Sequence, residues 1–203
     1  ARKEVTLDIT SDENKLKLYV DGPFRDPCDG KHRRRKLDYI VRYDMEIEVP
    51  KKTELIAKTV TEGDIVIRNI VGSCKARHAN GKIFIQQLNG DFNIRTANGK
   101  IEILEVSGAG KAHTANGKVH VTFLKNPKTD CSFKTVNGNV DIRFIDGLSG
   151  QFNLKTFHGR ILSDFPFEYL PTKLAKGKRK NGKFIYKSNQ MRSIKIGKGG
   201  PTI

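Results

Sequence analysis

One pattern recurs along the chain and restricts its fold more than any other feature. The segments SCKARHANGKIFI, DFNIRTANGKIEI, AGKAHTANGKVHV, DCSFKTVNGNVDI and QFNLKTFHGRILS align without gaps. Their shared glycines are Gly81, Gly99, Gly117, Gly138 and Gly159, with Gly63 in TVTEGDIVI as a degenerate first copy. The spacings are 18, 18, 18, 21 and 21 residues. A second series, Gly72, Gly90 and Gly108, divides the shorter copies into halves. Self-similarity at a short fixed period marks stacked units, none of which can bury its apolar face alone.

Each copy has period two on both sides of its turn. Before the glycine stand Phe92 and Ile94, Cys131 and Phe133, Phe152 and Leu154. After it come Ile83 and Ile85, Ile101 and Ile103, Val119 and Val121, Val140 and Ile142. Such alternation puts one face of each strand in a core. Asn-Gly supplies the turn, because glycine tolerates positive φ and Asn tolerates the left-handed region. Asn-Gly also joins antiparallel hairpins, but repeated pairs of short strands with in-register turns suit a coil better. The expected fold is all-β: a parallel β-solenoid with coils of 18–21 residues stacked about 4.8 Å apart. Ile83, Ile101, Val119 and Val140 then form one buried column. Asn80, Asn98, Asn116 and Asn137, followed by His158, form a ladder of side-chain hydrogen bonds.

The flanks differ from the repeats. Residues 5–20 and 39–49 alternate and read as strands capping the first coil, so that 1–53 is a cap and 54–203 the solenoid of one domain. The loop between them, DGPFRDPCDGKHRRRK, holds Asp21, Asp26 and Asp29, which read as turn-formers. Residues 171–182 read as a basic insertion, followed by strands near 183–187 and 192–196. No amphipathic helix pattern and no stretch long enough to span a membrane is present.

Charge narrows the partners. Lys and Arg total 38 against 22 acids, a formal charge of +16, which favours an anionic partner. Stacking places Arg77, Arg95, His113, Lys134 and Lys155 in one column and Lys82, Lys100, Lys118 and Arg160 in another. Two readings compete: an anion-binding strip, or a solvated face that blocks unwanted strand pairing. KHRRRK (31–36) and KGKRK (176–180) add charge, but without aromatic platforms, a recognition helix or a nucleic-acid motif they read as solvated loops, and nucleic acid is disfavoured as partner.

Little of the sequence suggests chemistry. Glu102, His120 and Asp141 fall in one column, flanked by Phe84 and Leu162. Residues in a line do not enclose a metal, and opposite charges on neighbouring strands make ordinary salt bridges. Calcium-binding solenoids use Gly- and Asp-rich nonapeptides, which the chain lacks. No catalytic residue, metal or cofactor is assigned. Three cysteines, Cys28, Cys74 and Cys131, show no zinc spacing. Cys74 and Cys131 point inward three coils apart, about 14 Å at the strand spacing, beyond the roughly 7 Å a disulfide allows. Cys28, in the loop, is the most reactive thiol.

At TANGKIEI, TANGKVHV, TVNGNVDI and the closing KIGKGGPTI, the chain resembles a bacterial family of adhesin-like proteins of unknown function. Members carry T-x-N-G repeats on a β-solenoid, usually behind an export signal. The resemblance covers the chain from about Glu54 onward. It implies export to the periplasm or cell surface, a signal sequence already removed, a non-enzymatic role, and a further T-x-N-G coil after the GGP segment. The expectation is an exported structural or interaction module presenting a basic β-surface to an acidic polysaccharide or another cell-envelope component. The alternative is a polysaccharide-active enzyme, a lyase or hydrolase, on the same fold.

Overall fold

Alternating strands joined by Asn-Gly turns form two parallel sheets in the computed structural model, which describes residues 6–21, 43–60, 63–156, 158–171, 178–180, 183–185 and 192–203. The first sheet contains β3 (Leu55–Thr59), β5 (Cys74–Asn80), β7 (Phe92–Asn98), β9 (Gly110–Asn116) and β11 (Ser132–Lys134), stacked in that order. The second contains β4 (Ile65–Val71), β6 (Ile83–Asn89), β8 (Ile101–Val106), β10 (Val119–Phe123) and β12 (Val140–Arg143). Strands joined by an Asn-Gly turn lie in different sheets, so the chain winds as a solenoid. Ile83 pairs with Ile101, Ile101 with Val119, and Val119 with Val140. This is the expected column with one correction. Val140 is 42% exposed, because β12 ends its sheet and, among the described residues, no strand covers it.

Inward side chains of both sheets make one core, including Cys74, Ile83, Ile94, Ile101, Ile103 and Val121, each fully buried. Burying a side chain of this size contributes about 1.5–3 kcal/mol. Aromatic volume is balanced by omission. Gly110 stands where other coils carry Phe92 or Cys131, and a Cβ there would strike the Phe92 carbonyl and crowd its ring. Across that rung the rings of Phe92 and Phe133 approach to 6.4 Å between centroids.

The T-x-N-G motif is explained by two ladders. Asn98 Nδ2 donates to Asn80 Oδ1 at 2.8 Å, Asn116 to Asn98 at 2.7 Å and Asn137 to Asn116 at 2.7 Å. The Thr hydroxyls donate to the glycine carbonyl of the preceding coil: Thr96 to Gly81, Thr114 to Gly99 and Thr135 to Gly117. His78 fills the Thr position of the first full coil, its Nε2 2.7 Å from the Gly63 carbonyl and its Nδ1 accepting from the Asn80 N–H. Those two contacts fix the imidazole as the Nε2–H tautomer.

The fifth copy departs from the expectation. β13 (Gly150–Leu154) pairs antiparallel with β17 (Arg192–Ile196), which also pairs with β14 (Glu168–Tyr169). Residues 201–203 lie between the fourth and fifth copies: Cys131 N–H donates to the Thr202 carbonyl and Gln151 N–H to that of Pro201. A rung from far along the chain thus replaces direct stacking. Gly159 keeps only a local turn, its N–H bonded to Thr156 Oγ1, and the Asn ladder ends at Asn137 without His158. A smaller core of Leu148, Phe152, Ile194 and Ile196 fills this region. Phe144 links the two cores, stacked on Phe123 at 5.2 Å and edge-on to Phe152 at 5.8 Å.

The chain forms two compact units, Ala1–Glu48 and Val49–Ile203. In the first, β1 (Thr6–Asp12) and β2 (Lys15–Asp21) make an antiparallel hairpin, so Asp21 ends a strand instead of starting a loop. Residues 43–49 form no strand, contrary to their alternation. Residues 51–53 belong to the solenoid unit, where Lys52 bridges Val71. The presumed basic loop contains β15 (Lys178–Lys180), paired with β16 (Lys183–Ile185). KHRRRK, Asp26, Asp29 and Cys28 lie outside the described residues.

Candidate functional site

Strand alternation that buries Cys74, Ala76, Phe92, Ile94 and Ala112 turns their neighbours outward. On the outer face of the first sheet this makes two columns. One runs Lys58, Arg77, Arg95, His113, Lys134, with each residue paired to the next across the ladder. The other runs Ile56, Lys75, Asn93, Lys111, Ser132 in the same registers. Lys58, Lys75, Arg77, Arg95, Lys111 and Lys134 are all exposed. None of the five strands contains Asp or Glu. Among the described residues none of these six cations has an ion-pair partner. Three carboxylates, Glu54, Asp91 and Asp130, stand just before strands of this sheet, and Asp91 and Asp130 accept from the N–H groups of Ala109 and Thr202.

His113 belongs to this face, with Nε2 3.1 Å from Ser132 Oγ. Burial, and then the charges of Lys134, Arg95 and Lys111, hold it below its ordinary value of 6.5, against a hydrogen bond that the ring donates to Ser132 and that raises it.

The second candidate column is electrostatically closed. Lys82 and Lys100 reach Glu102 at 3.2 and 2.9 Å, and Lys118 reaches Asp141 at 3.2 Å. His120 Nδ1 lies 3.1 Å from the same Asp141 oxygen. The Lys100 hydrogen bond is foremost in holding Glu102 below its ordinary value, against burial and aided by Lys82. Burial pushes Asp141 up, but Lys118 and His120 outweigh it and leave it lowered. Lys82 also sits 4.9 Å from the Phe84 ring centroid, with Arg68 at 5.6 Å. Glu102, His120 and Asp141 therefore align as the sequence places them and form salt bridges. Leu162 does not join them, lying outside any strand.

The expected anion-binding residues thus separate. Arg77, Arg95, His113 and Lys134 come together; Lys82, Lys100 and Lys118 pair with acids on the other sheet. Lys155 follows β13 in the antiparallel sheet, and Arg160 lies in a stretch without strand. Sequence reading missed Lys58, Lys75 and Lys111. Lys58 sits five residues before Gly63, whereas its partner Arg77 sits four before Gly81, so the degenerate copy hides the match. Lys75 and Lys111 alternate with Asn93 and Ser132, and the column lacks a uniform charge signature.

Cys74 and Cys131 are both buried and free. Burial pushes the Cys74 thiol up to about 11, far from the thiolate range of reactive cysteines. Among the described residues no group of three or more His, Cys, Asp or Glu is placed to hold a metal ion, and no helix is long and apolar enough to cross a membrane.

No curated protein and no solved structure matches the chain. The Toastrack DUF4097 family model matches residues 44–192. The chain therefore belongs to the Toastrack DUF4097 family, a family of unknown function whose fold is a β-solenoid.

Proposed function

We propose that the protein is a non-enzymatic interaction module of the cell envelope, adhesin-like in role, which binds a polyanion along the outer face of its first sheet. The observation that carries this reading is the acid-free row of six exposed cations on that face. Like charges on neighbouring rungs, Lys58 with Arg77 and Arg77 with Arg95, repel one another, though solvent screens exposed side chains. Ordinary surface design relieves such strain with interspersed acids, as the second sheet does with Glu102 and Asp141. A linear polyanion laid along the solenoid axis supplies the missing charge. The five strands of this face hold no Asp or Glu, the paired carboxylates on which glycoside hydrolysis depends, which favours a binder over a hydrolase. Periplasm or cell surface is the setting in which such a polymer is met. Incubation with a panel of acidic glycans tests the reading: retention that falls steeply with salt, without product release, is expected. Depolymerisation would replace the binder by the enzyme.

A further inference from the structure

Asparagine stands directly before glycine at six places, Asn80, Asn89, Asn98, Asn116, Asn137 and Asn181; Asn181 lies outside the described residues. In this pair the main-chain nitrogen of glycine, with no side chain beside it, can attack the carbonyl carbon of the asparagine side chain. Two contacts block that attack: a hydrogen bond that holds the asparagine amide, and one that occupies the glycine N–H.

Asn80, Asn98 and Asn116 have both. Their side chains are linked in the ladder, and the N–H groups of Gly81, Gly99 and Gly117 each donate at 2.9 Å to the asparagine carbonyl of the next coil. Asn137 has the first, its amide donating to Asn116. Asn89 has neither. It ends β6 at the other corner of the coil, exposed to solvent. Val71 lies opposite it in one neighbouring strand, and on the other side Ser107 follows the Leu88–Val106 pair, so no second amide stacks on its own. Among the described residues its side chain makes no hydrogen bond and the Gly90 N–H donates to no carbonyl. The Asn89 carbonyl accepts from the Gly72 N–H at 3.0 Å, which leaves both reacting atoms open.

We infer that Asn89 is a site of spontaneous modification, converted to aspartate and isoaspartate while the ladder asparagines persist. Base removes the Gly90 N–H proton, the nitrogen bonds to Asn89 Cγ, and the side-chain amide leaves as ammonia. One water then opens the cyclic imide. Opening at the side-chain carbonyl gives aspartate. Opening at the main-chain carbonyl gives isoaspartate, whose main chain runs through the former side chain and is longer by a methylene. Either product adds a negative charge at the turn that enters β7, the strand carrying Arg95 of the cationic face. The inference stands apart from the polyanion reading and holds or fails without it.

To test it, the native protein is aged at mildly alkaline pH and digested, and its peptides are quantified by mass spectrometry, with isoaspartyl methyltransferase labelling to identify isoaspartate. A parallel sample is aged unfolded in urea. In the native protein Asn89 is expected to convert at least about tenfold faster than Asn80, Asn98 or Asn116, since their locking hydrogen bonds have first to open. In urea the four rates are expected to converge, because the same glycine follows each. Native conversion of Asn89 no faster than that of the ladder residues would overturn the assignment. A lead for Asn89 that persists undiminished in urea would overturn it too, by tracing the difference to Leu88 in place of Ala79, Ala97 and Ala115 and not to the fold.

Discussion

Gly117 illustrates how tightly single residues are specified. Its φ of 146° is strained for any L side chain, and a Cβ would strike the Gly99 carbonyl of the coil beneath. Gly117→Ala is expected to cost about 3 kcal/mol or more in urea unfolding, combining backbone strain with a collision against unyielding main chain. Gly147, at φ 76° with open space around it, is the control: its replacement by Ala is expected to cost only about 1–2 kcal/mol. A less visible strain lies at Asn69, Gln87 and Glu105, left-handed at φ 59°, 56° and 60°. These residues recur at the coil interval and let β4, β6 and β8 bend, so that Ile70, Leu88 and Val106 return inward. Only Asn69 is a residue type that advertises this conformation, which is why the bend was not legible in the sequence. Glu102 and Asp141 set an acid limit. Both are lowered in the fold from 4.5 and 3.8, so near those values the unfolded chain binds more protons. Their contribution is complete above about pH 4.5 and is lost as pH falls through the lowered folded values. The urea midpoint is expected to fall in that acid range, and less so in Glu102→Gln/Asp141→Asn.

At the scale of strands, the turn motif repeated through the chain was enough to recover the register. The Asn and Thr positions became ladders because parallel stacking puts identical residues at identical places. Thr114→Val tests the second ladder: with the Gly99 carbonyl losing its hydroxyl donor, a loss of about 1–2 kcal/mol is expected in chemical unfolding. The charge on the strands was only half legible. A column of lysines after the glycine looked equivalent to the column before it, and nothing in the spacing showed that Glu102 and Asp141 would neutralise one column and leave the other open. The open column gives the first sheet a pH response. Burial first, and then Lys134, Arg95 and Lys111, hold His113 low; a bound polyanion that offsets those three cations is expected to raise it, so that complex formation takes up a proton. Affinity is therefore expected to strengthen as pH falls below the ordinary histidine value of 6.5, and His113→Asn is expected to flatten that dependence.

For the molecule as a whole, the solenoid was evident from Gly63 through Gly138, and the failure at Gly159 has a definite cause. QFNLKTFHG matches the motif locally, but Pro201–Ile203 enters between it and the fourth copy, and Ile194 and Ile196 of β17 give Phe152 an antiparallel partner instead. Contacts made across that much chain leave no trace in a repeat pattern. The basic excess is also distributed by the fold, since a net charge of +16 says nothing about which face is free of acids. That distribution is the central claim, and equal charge changes on two surfaces test it most directly. Arg77→Glu/Arg95→Glu and Lys125→Glu/Lys128→Glu alter net charge identically, the second pair on an exposed connection outside the cationic face. Heparin affinity measured by calorimetry at low salt is expected to fall at least tenfold for the first pair, given about 1 kcal/mol per surface cation at a polyanion, and to stay within about twofold for the second. Equal losses in the two variants would show that net charge alone attracts the polymer and would contradict the assignment of the site to this sheet.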